Sequence, residues 1–488
     1  PRREKEALLA RAWEDVLRLD EGEVQPEDDF FDLGGHSLAA AQLSSRVEQG
    51  FGVHVSMPLF MEDPTPKGLL DRIEALQRDG TAREVTTAED LSAEAVLDTR
   101  ITPRPEDGTP TLRGADDIFL TGATGFLGVF LLDGLLSRTS ARVHCLVRPR
   151  GDADGMEAIE DNLRGYGLWR PELAERIVPV PGDLGKPLFG LDEKDFDALA
   201  REVDMIFHPG AVVNLVYPYQ ELKSPNVGGT REVLRLACRH GAKPVHHVST
   251  NGIFPPGMGL CEEDTDLDDL AEAREDGYGQ SKWVAEKLVR EAGERGLPVS
   301  VYRPGNVSGH SETGASNPRD LLGAVIVESL RLGCAPEIED WRMEMTPVDF
   351  VAAAILHLAS DAAAQGGTYH LANPNPPTAN EVFDLLEEEG YPLECLPYEE
   401  WLQRIDAAPP EEGSPGEIVG GAAPAAEELR DENTYDDSNT RRVLDDGPGR
   451  LAINGDLMET YAQYFAEQGW TGTSGIRHQA SAGSRRDS

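Results

Sequence analysis

The stretch that decides the fold is Ile118-Phe-Leu-Thr-Gly-Ala-Thr-Gly-Phe-Leu-Gly128. Its apolar start predicts a strand, its glycines predict a tight turn, and the apolar run that follows, Val129 to Leu136, predicts a helix. Glycine suits such a turn because the backbone takes a positive φ there and because a pyrophosphate has to approach bare backbone. The amino end of the helix adds free N–H groups and a partial positive charge. This context favours dinucleotide binding over a turn that only connects strand and helix.

Alternating strand and helix patterns continue outward from this turn. Such alternation predicts a parallel sheet covered by helices on both faces. The further strand patterns are Arg142 to Val147, Arg176 to Val180, Val203 to Phe207, Pro244 to Val248 and Val299 to Tyr302.

The second of these strand patterns bears on the choice of dinucleotide, because it ends in Arg148-Pro-Arg150. An NAD site holds the ribose 2′-hydroxyl with an acidic residue about 20 positions after the glycine turn. Arg148 and Arg150 stand near this point instead, and a guanidinium pairs well with a phosphate. The sequence therefore favours NADPH. The alternative is that these arginines only coat an exposed strand end.

A candidate proton donor lies further along the chain. Tyr278 and Lys282 are four residues apart in a helical pattern, so their side chains lie on one face. A lysine ammonium beside a phenol lowers the pKa of the phenol and makes it a usable proton donor near neutral pH. A third hydroxyl is expected at the end of the fifth strand, from Thr250 or, as second choice, Ser249.

The first 77 residues form a separate, purely helical pattern. Within it, Asp32-Leu-Gly-Gly-His-Ser-Leu38 places Ser37 directly after a glycine turn, at the start of a helix. Such a hydroxyl is commonly a helix N-cap. The whole motif resembles the attachment site of peptidyl carrier proteins, and this resemblance implies that Ser37 is instead an exposed attachment point for a prosthetic arm.

The composition excludes several classes of partner and site. There are 88 Asp and Glu residues against 45 Lys and Arg, a formal net charge of −43. Nucleic acid and anionic membranes need a basic surface, so neither is expected as a partner. The five cysteines include no Cys-x-x-Cys pair, so we expect no disulfide framework, no metal site and a reducing, cytoplasmic location. We find no signal peptide or membrane-spanning run, and the start inside a helical pattern predicts a piece of a longer protein.

Two parts of the chain resemble known families. Residues 1–77 resemble a peptidyl carrier protein through the motif around Ser37. Residues 116 to about 465 resemble the extended short-chain dehydrogenase/reductases, specifically the thioester reductase domains that end nonribosomal peptide synthetases and carboxylic acid reductases. Besides the glycine turn, the matching segments are Asn162-Leu-Arg-Gly-Tyr-Gly-Leu-Trp169, Pro181-Gly-Asp-Leu184, His208-Pro-Gly-Ala211, Tyr217-Pro-Tyr219, Asn226-Val-Gly-Gly-Thr230, Val248-Ser-Thr250, Tyr278-Gly-Gln-Ser-Lys282 and Tyr302-Arg-Pro-Gly305.

The resemblance implies a multidomain chain. We expect an N-terminal all-α four-helix carrier bundle, followed by an α/β Rossmann-type reductase with a smaller, mixed C-terminal substrate-binding subdomain. The expected boundaries are 1–77 for the carrier, 78–113 for a flexible linker with a short helix around Ala88 to Leu97, 114–305 for the NADP-binding part, 306–470 mainly for the substrate-binding subdomain and 471–488 for a disordered tail. The composition of residues 408–433 predicts a flexible acidic loop.

The resemblance also implies the site residues. Thr250, Tyr278 and Lys282 would form the catalytic trio, with Lys282 also binding the nicotinamide ribose. Asp183 and Leu184 would lie near the adenine. The complete set of implied cofactor-binding residues is Gly122, Thr124, Gly125, Phe126, Leu127, Gly128, Arg148, Arg150, Asp183, Leu184, Gly210, Ala211, Tyr278, Lys282 and Pro304, and Ser37 is implied to carry 4′-phosphopantetheine.

These implications give an expected function. The chain would be the terminal carrier–reductase didomain of a nonribosomal peptide synthetase, releasing a tethered acyl or peptidyl thioester with NADPH as an aldehyde, or further as a primary alcohol. Its partners would be upstream adenylation and condensation domains and a phosphopantetheinyl transferase. Two alternatives stay open: a redox-inactive domain that cyclises the chain, and an epimerase or dehydrogenase that acts on a sugar nucleotide.

Overall fold

The structure is a computed structural model. It describes residues 2–17, 19, 22–30, 33, 37–53, 55, 60, 63–78, 88–104, 110–149, 155–215, 217–268, 270, 276–411, 413–422, 433–445, 447–449 and 452–472. Arg150, most of the motif before Ser37 and nearly all of the expected disordered tail lie outside these residues. In the described part of the chain, every helix is too short or too polar to cross a membrane.

The N-terminal part is a helical bundle. Its described helices are α1 (Arg2–Leu17), α2 (Ser37–Phe51) and α3 (Pro66–Arg78). The core is aromatic: Trp13 meets Phe30 edge to face at 5.4 Å between ring centroids, and Phe60 closes the cluster. All three rings are buried, so the bundle has a core of its own.

A parallel sheet forms the centre of the following part, as the sequence predicted, and it has seven strands, one more than the six strand patterns. The strands are β1 (Asp117–Leu120), β2 (Arg142–Val147), β3 (Ile177–Pro181), β4 (Met205–His208), β5 (Val245–Val248), β7 (Val299–Pro304) and β11 (Thr368–Leu371). Their order in the sheet is β11-β7-β5-β4-β1-β2-β3. The chain leaves β1 toward β2 and β3 and then returns to place β4 on the other side of β1, so the strand order reverses between β1 and β4.

Helices cover both faces of this sheet, and each face has its own hydrophobic cluster. On one face lie α7 (Glu193–Glu202), α8 (Tyr219–Leu222), a π-helical segment (Lys223–Gly228), α9 (Gly229–Cys238) and α10 (Gly277–Glu294). On the other lie α5 (Phe126–Arg138), α6 (Met156–Gly165) and α12 (Val348–Ser360). The near-continuous apolar runs of β1, β2 and β4 follow from this double coverage.

A third hydrophobic cluster builds the C-terminal subdomain. Its elements are α11 (Leu321–Leu332), α13 (Ala379–Glu388), α14 (Tyr398–Ala407), α15 (Glu417–Ala422), α17 (Gly455–Glu467) and the parallel pair β9 (Cys334–Glu337) and β12 (Glu394–Pro397). The remaining short elements are the parallel pairs β6 (Leu260–Cys261) with β13 (Thr434–Tyr435) and β8 (Val307–Ser308) with β10 (Thr346–Pro347), and α16 (Ser438–Val443), which packs on β11.

Two expectations about this half of the chain need correction. The boundary at residue 305 is too simple, because α12 and β11 return to the central sheet, where α12 packs against α5 and β11 pairs with β7. The acidic stretch 408–433 is not a plain loop either, because α15 lies within it and contacts α11. Residues 423–432 lie outside the described part.

The expected linker also differs from the prediction. Residues 88–104 are held on the reductase part: a helix, α4 (Ala88–Glu94), packs against α10. The side chains of Leu91, Leu97 and Ile101 are almost fully buried in the cluster that lies under α9 and α10. Polar residues dominate this stretch, so its few apolar side chains gave no periodic signal in the sequence.

Charged groups fasten this anchored segment. Arg295, in the turn after α10, donates to the carbonyl oxygens of Leu97, Asp98 and Ile101 at 2.7–2.9 Å. At the other end, the Glu94 carboxylate accepts from the Tyr219 hydroxyl at 2.8 Å and pairs with Lys223. Residues 88–104, which follow the carrier part in the sequence, are thereby held against the helices that flank β4 and β5.

Replacing Arg295 with Ala tests this anchor. The change leaves three backbone carbonyls without their donor, and we expect the free energy of unfolding of the reductase part to fall by about 2–3 kcal/mol. The measurement is urea unfolding, together with limited proteolysis of residues 88–104, which should become faster. The matched control is Arg201→Ala, since Arg201 is exposed and pairs only with Asp197 on its own helix. Its loss should stay within about 0.5 kcal/mol; an equal loss in both variants contradicts the anchor.

Candidate active site

The glycine turn after β1 has no room for side chains. Gly122 has φ +69°, and a Cβ there would lie 2.8 Å from the Cα of Gly210 in the loop after β4. At Gly128, the third residue of α5, a Cβ would lie 1.9 Å from the carbonyl oxygen of Gly122. The turn is closed by a hydrogen bond from the N–H of Gly125 to the same oxygen, at 2.8 Å. Bare backbone therefore faces the crevice between β1 and β4.

A buried chain of hydrogen bonds ties this turn to β4. The Thr230 hydroxyl donates to the Asn226 carbonyl at 2.6 Å, so it accepts from Nε2 of His208 at 3.0 Å. Nδ1 of His208 then accepts from the Thr121 hydroxyl at 2.8 Å, and that oxygen in turn accepts from the N–H of Gly210. Burial, and secondarily the charge of Lys282, lower the pKa of His208 to about 3, so the imidazole is neutral. The chain fixes both its tautomer and the position of Gly210.

The other candidate cofactor residues lie at neighbouring strand ends. Arg148 directly follows β2 and is exposed, and it has no ion-pair partner within the described part of the chain. Asp183 follows β3, where its carboxylate accepts from the N–H of Gly185 at 2.9 Å. Leu184 packs over Gly229 at the start of α9. The half-buried or exposed positions Thr124, Phe126, Leu127 and Ala211 border the turn, and Pro304 ends β7 at the same edge of the sheet.

This arrangement fits a dinucleotide with a 2′-phosphate. Ligands of such sheets bind at the carboxyl ends of the strands, where the strand order reverses, and that is the crevice between β1 and β4. The amino end of α5 lies next to Gly122 at this crevice. Its free N–H groups can bind a pyrophosphate. Arg148 offers an exposed guanidinium at the end of the neighbouring strand β2.

The predicted Tyr and Lys lie on α10, next to β5. The helix begins with Asp276 as its cap, whose carboxylate accepts from the N–H of Gly279 at 2.5 Å. Gly277 packs directly on the backbone of Tyr217 and Tyr219, which places the start of α10 beside the loop after β4. One turn later, the buried Lys282 ammonium donates to the Val248 carbonyl at 2.8 Å. The structure therefore brings Tyr278 and Lys282 to the end of β5.

The electrostatics of this pair differ from the sequence-based expectation. Burial and the Asp276 carboxylate raise the pKa of Tyr278, although a hydrogen bond with Thr250 opposes this rise. Burial also lowers the pKa of Lys282 to about 8, against the opposing effect of Glu286. Because Lys282 is turned to the Val248 carbonyl, it does not lower the pKa of the phenol in this state. Tyr278 is thus held as a neutral phenol, the form that can give up a proton.

The structure separates the two candidate hydroxyls at the end of β5. Thr250 lies close enough to Tyr278 to oppose the rise of its pKa, and its oxygen accepts from the N–H of Gly252 at 3.0 Å. Ser249 points the other way and donates to a carboxylate oxygen of Glu286 at 2.6 Å. This arrangement favours Thr250 as the partner of Tyr278. Ser249 instead links the end of β5 to the carboxylate of Glu286 on α10.

Two residues beside the site were given no role from the sequence. Glu286 lies one turn after Lys282 on the same face of α10 and is fully buried. The side-chain amide of Asn226, in the π-helical segment, accepts from the N–H of Val212 at 2.7 Å and donates to the hydroxyl of Ser281. The spacing Tyr278–Lys282–Glu286 is a sequence signal for the first; a π-helical segment, which often marks functional sites, has no comparable signal.

The carrier part meets the C-terminal subdomain. The helix α2 begins at Ser37 and contacts α15. The side chain of Ser37 and residues 34–36 lie outside what the structure describes. The start of α2 nevertheless gives Ser37 the helix-start position that the sequence predicted.

Two families match the chain. The family described as phosphopantetheine attachment site matches residues 7–73, and the NAD-binding family described as male sterility protein matches residues 120–355. These descriptions agree with the two cofactors expected from the sequence.

Known relatives and solved structures point the same way. Glycine betaine reductase ATRR of Emericella nidulans is 44% identical over 486 residues, which is 96% of this chain and 38% of the relative. The terminal R domain of the myxalamid PKS-NRPS pathway is 42% identical with a TM-score of 0.71, covering 78% of this chain and 98% of that one. A thiolation-reductase didomain from an archaeal synthetase shares the fold at 22% identity, with a TM-score of 0.65, over 96% of this chain and 98% of that one. The chain spans less than half the length of the curated relatives it matches.

The chain belongs to the terminal reductase domains of nonribosomal peptide synthetases, and it carries a phosphopantetheine-type carrier domain in front of the reductase domain. The family expected from the sequence, and the fold class with it, are confirmed.

Replacing Arg148 with Ala tests the assignment of the 2′-phosphate contact. Losing a charge-assisted contact to a phosphate should reduce the preference for NADPH over NADH by about tenfold or more. The measurement is the ratio of the two dissociation constants by fluorescence titration. The control is Arg138→Ala, an exposed arginine at the far end of α5, which should leave the ratio unchanged. An unchanged ratio in Arg148→Ala would assign the 2′-phosphate to other residues.

Proposed function

We propose that this chain releases an acyl or peptidyl group, bound as a thioester to a phosphopantetheine arm on Ser37, by NADPH-dependent reduction. The observation that carries the proposal is the placement of Tyr278, Thr250 and Lys282 at the end of β5, beside the bare-backbone crevice between β1 and β4, in a chain that also contains a carrier domain.

The residues proposed to hold the cofactor are those of the crevice. Gly122 to Gly128 and Gly210 would meet the pyrophosphate and inner ribose, Asp183 and Leu184 the adenine, and Arg148 with Arg150 the 2′-phosphate. Pro304 and Lys282 would border the nicotinamide end. When bound, NADPH supplies a hydride at its nicotinamide ring.

The catalytic residues act on the oxygen of the thioester carbonyl. As negative charge develops on this oxygen, the hydroxyls of Tyr278 and Thr250 donate hydrogen bonds to it, and Tyr278 transfers its proton. The phenolate left behind is half-buried and so only partly hydrated, and it therefore needs a nearby positive charge. Lys282 is the only cation one helical turn away on the same face of α10, and turning its ammonium from the Val248 carbonyl toward the phenolate would supply that charge.

The product follows from this protonation. The reduced carbonyl is a hemithioacetal. Its C–S bond breaks while the hydroxyl proton passes to the departing sulfur, so the products are a free aldehyde and the arm thiol, and Tyr278 regains its proton from water. A second reduction at the same site would give a primary alcohol and would again take its proton from Tyr278.

Both alternatives considered from the sequence are less well supported. A redox-inactive cyclising domain would not need a half-buried phenol with a hydroxyl nearby and a lysine one turn away. An enzyme for sugar nucleotides would not need the carrier domain.

The proposal also includes partners and a location. The partners are upstream adenylation and condensation domains and a phosphopantetheinyl transferase. The proposed location is the cytoplasm, and the free state of all five cysteines is in keeping with such a reducing compartment.

Replacing Tyr278 with Phe tests the proton donor. Without the hydroxyl, the developing oxyanion has no acid, and we expect kcat for NADPH consumption with a soluble acyl thioester to fall by about 10²–10⁴-fold. The affinity for NADPH should stay close to that of the wild type, because the phenyl ring still fills the site.

The matched control for this variant is Tyr369→Phe. Tyr369 is buried in β11, and its hydroxyl donates to the Ala364 carbonyl at 2.7 Å, away from the crevice. This control should keep kcat while losing a little stability. Turnover of Tyr278→Phe at the wild-type rate would remove Tyr278 from the mechanism.

A further inference from the structure

Glu286 is a fully buried carboxylate that the proposed chemistry does not use. It follows Tyr278 and Lys282 on the same face of α10, and both of its oxygens are engaged. One oxygen accepts from Nη2 of Arg303 at 2.6 Å, and the other accepts from the Ser249 hydroxyl at 2.6 Å. The carboxylate therefore joins the catalytic helix, the end of β5 and β7.

Arg303 holds this carboxylate from β7. Its guanidinium also donates to the Glu263 carbonyl at 3.2 Å, lies 3.0 Å from Nε2 of His370 and stacks over Phe254 at 5.1 Å. Both partners of the Arg303–Glu286 pair are completely buried. The pair thus fixes one rotamer of Glu286 and, through Ser249, the backbone that presents the neighbouring Thr250.

The Glu286 carboxylate has a second effect, which acts on the charge of Lys282. From β4 and β5 the lysine faces the neutral imidazoles of His208 and His247 and the Val248 carbonyl, and from its own helix it faces Tyr278 and Glu286. Asp276 lies beyond Tyr278 at the helix start. Among these described groups, Glu286 is the anion one turn away that opposes the loss of the lysine charge on burial. Arg303, with Arg290, keeps the pKa of Glu286 at about 2 despite its burial, so this negative charge persists at every working pH.

We propose that Glu286 is a positioning residue for the reduction: through Ser249 it holds Thr250 in register with Tyr278, and through its charge it keeps Lys282 an ammonium at neutral pH. This inference rests on the proposed function, since it concerns how the same site is kept competent. A purely structural buried pair would stabilise the fold, but it would have no bearing on the pH at which activity is lost.

The test is the pH dependence of kcat for NADPH consumption with a soluble acyl thioester, using the full chain. In the wild type, activity should fall as the pH rises through the pKa of Lys282, because the neutral amine no longer stabilises the phenolate. In Glu286→Gln the field of the carboxylate is lost, the pKa of Lys282 falls further, and this alkaline limb moves to lower pH. At pH 8 the variant should therefore lose about tenfold more of its kcat than at pH 6.

Two further variants separate charge from position. Glu286→Asp keeps the negative charge but shortens the reach to Ser249, so its alkaline limb should stay in place while kcat falls at every pH. Ser249→Ala removes only the hydrogen bond, and kcat should fall several-fold with KM unchanged and no movement of the limb. This last variant also serves if Glu286→Gln does not fold, since wild-type kcat in Ser249→Ala would overturn the positioning role.

The matched control is Glu328→Gln on α11. Glu328 is equally buried and pairs with Arg331 at 2.6 Å, but it lies in the C-terminal subdomain away from Lys282. It should leave the alkaline limb unchanged. The inference is overturned if the limb of Glu286→Gln stays at the wild-type pH or moves equally in Glu328→Gln. A wild-type chain that consumes no NADPH overturns the proposed function itself, which is a distinct result.

Discussion

The contact on which the site depends is the close approach of two backbone loops, the glycine turn after β1 and the loop after β4. Gly122 and Gly210 touch with no space for a Cβ, and the hydrogen bonds of Thr121 and the neutral His208 hold them there. This contact sets the crevice at which the strand order reverses. It also fixes the loop on which α10 starts, because Gly277 packs on that loop. The crevice proposed to hold the cofactor and the helix that carries Tyr278 and Lys282 are thus positioned by the same backbone contact.

The proposed chemistry then depends on two side chains, Tyr278 and Lys282, whose removal from water is only partly offset by neighbouring polar and charged groups. Tyr278 is kept protonated by burial, and the pKa of Lys282 is lowered to about 8, close to a working pH. A fully solvated lysine would be a fixed cation, and an uncompensated buried one would be neutral. Lys282 lies between these limits, because the Glu286 carboxylate of the buried Arg303–Glu286 pair opposes the loss of its charge. A buried ion pair is weak grounds for stability but can serve specificity.

Local patterns allowed much of this to be predicted. The glycine spacing, the apolar strands and the four-residue interval between Tyr278 and Lys282 all act within one turn or strand, so the first six strands of the sheet and the position of the crevice could be anticipated. Contacts between distant segments could not. The strand β11 and helix α12 return to the sheet after a long excursion, and residues 88–104 are anchored by Arg295, which lies 194 to 198 positions after the carbonyls it binds. The raised pKa of Tyr278 and the contact of Ser249 with Glu286 depend on burial and rotamers, which a sequence does not contain.

The most direct test of the account is a single-turnover experiment on the loaded chain. Ser37 would be loaded with an acyl-phosphopantetheine, NADPH added, and absorbance followed together with mass analysis of the released product. The account predicts that NADPH is consumed in step with release of a free aldehyde, or with two equivalents for a primary alcohol, and that a Ser37→Ala chain binds NADPH but releases nothing. Release of a cyclised or hydrolysed product without NADPH consumption would contradict it.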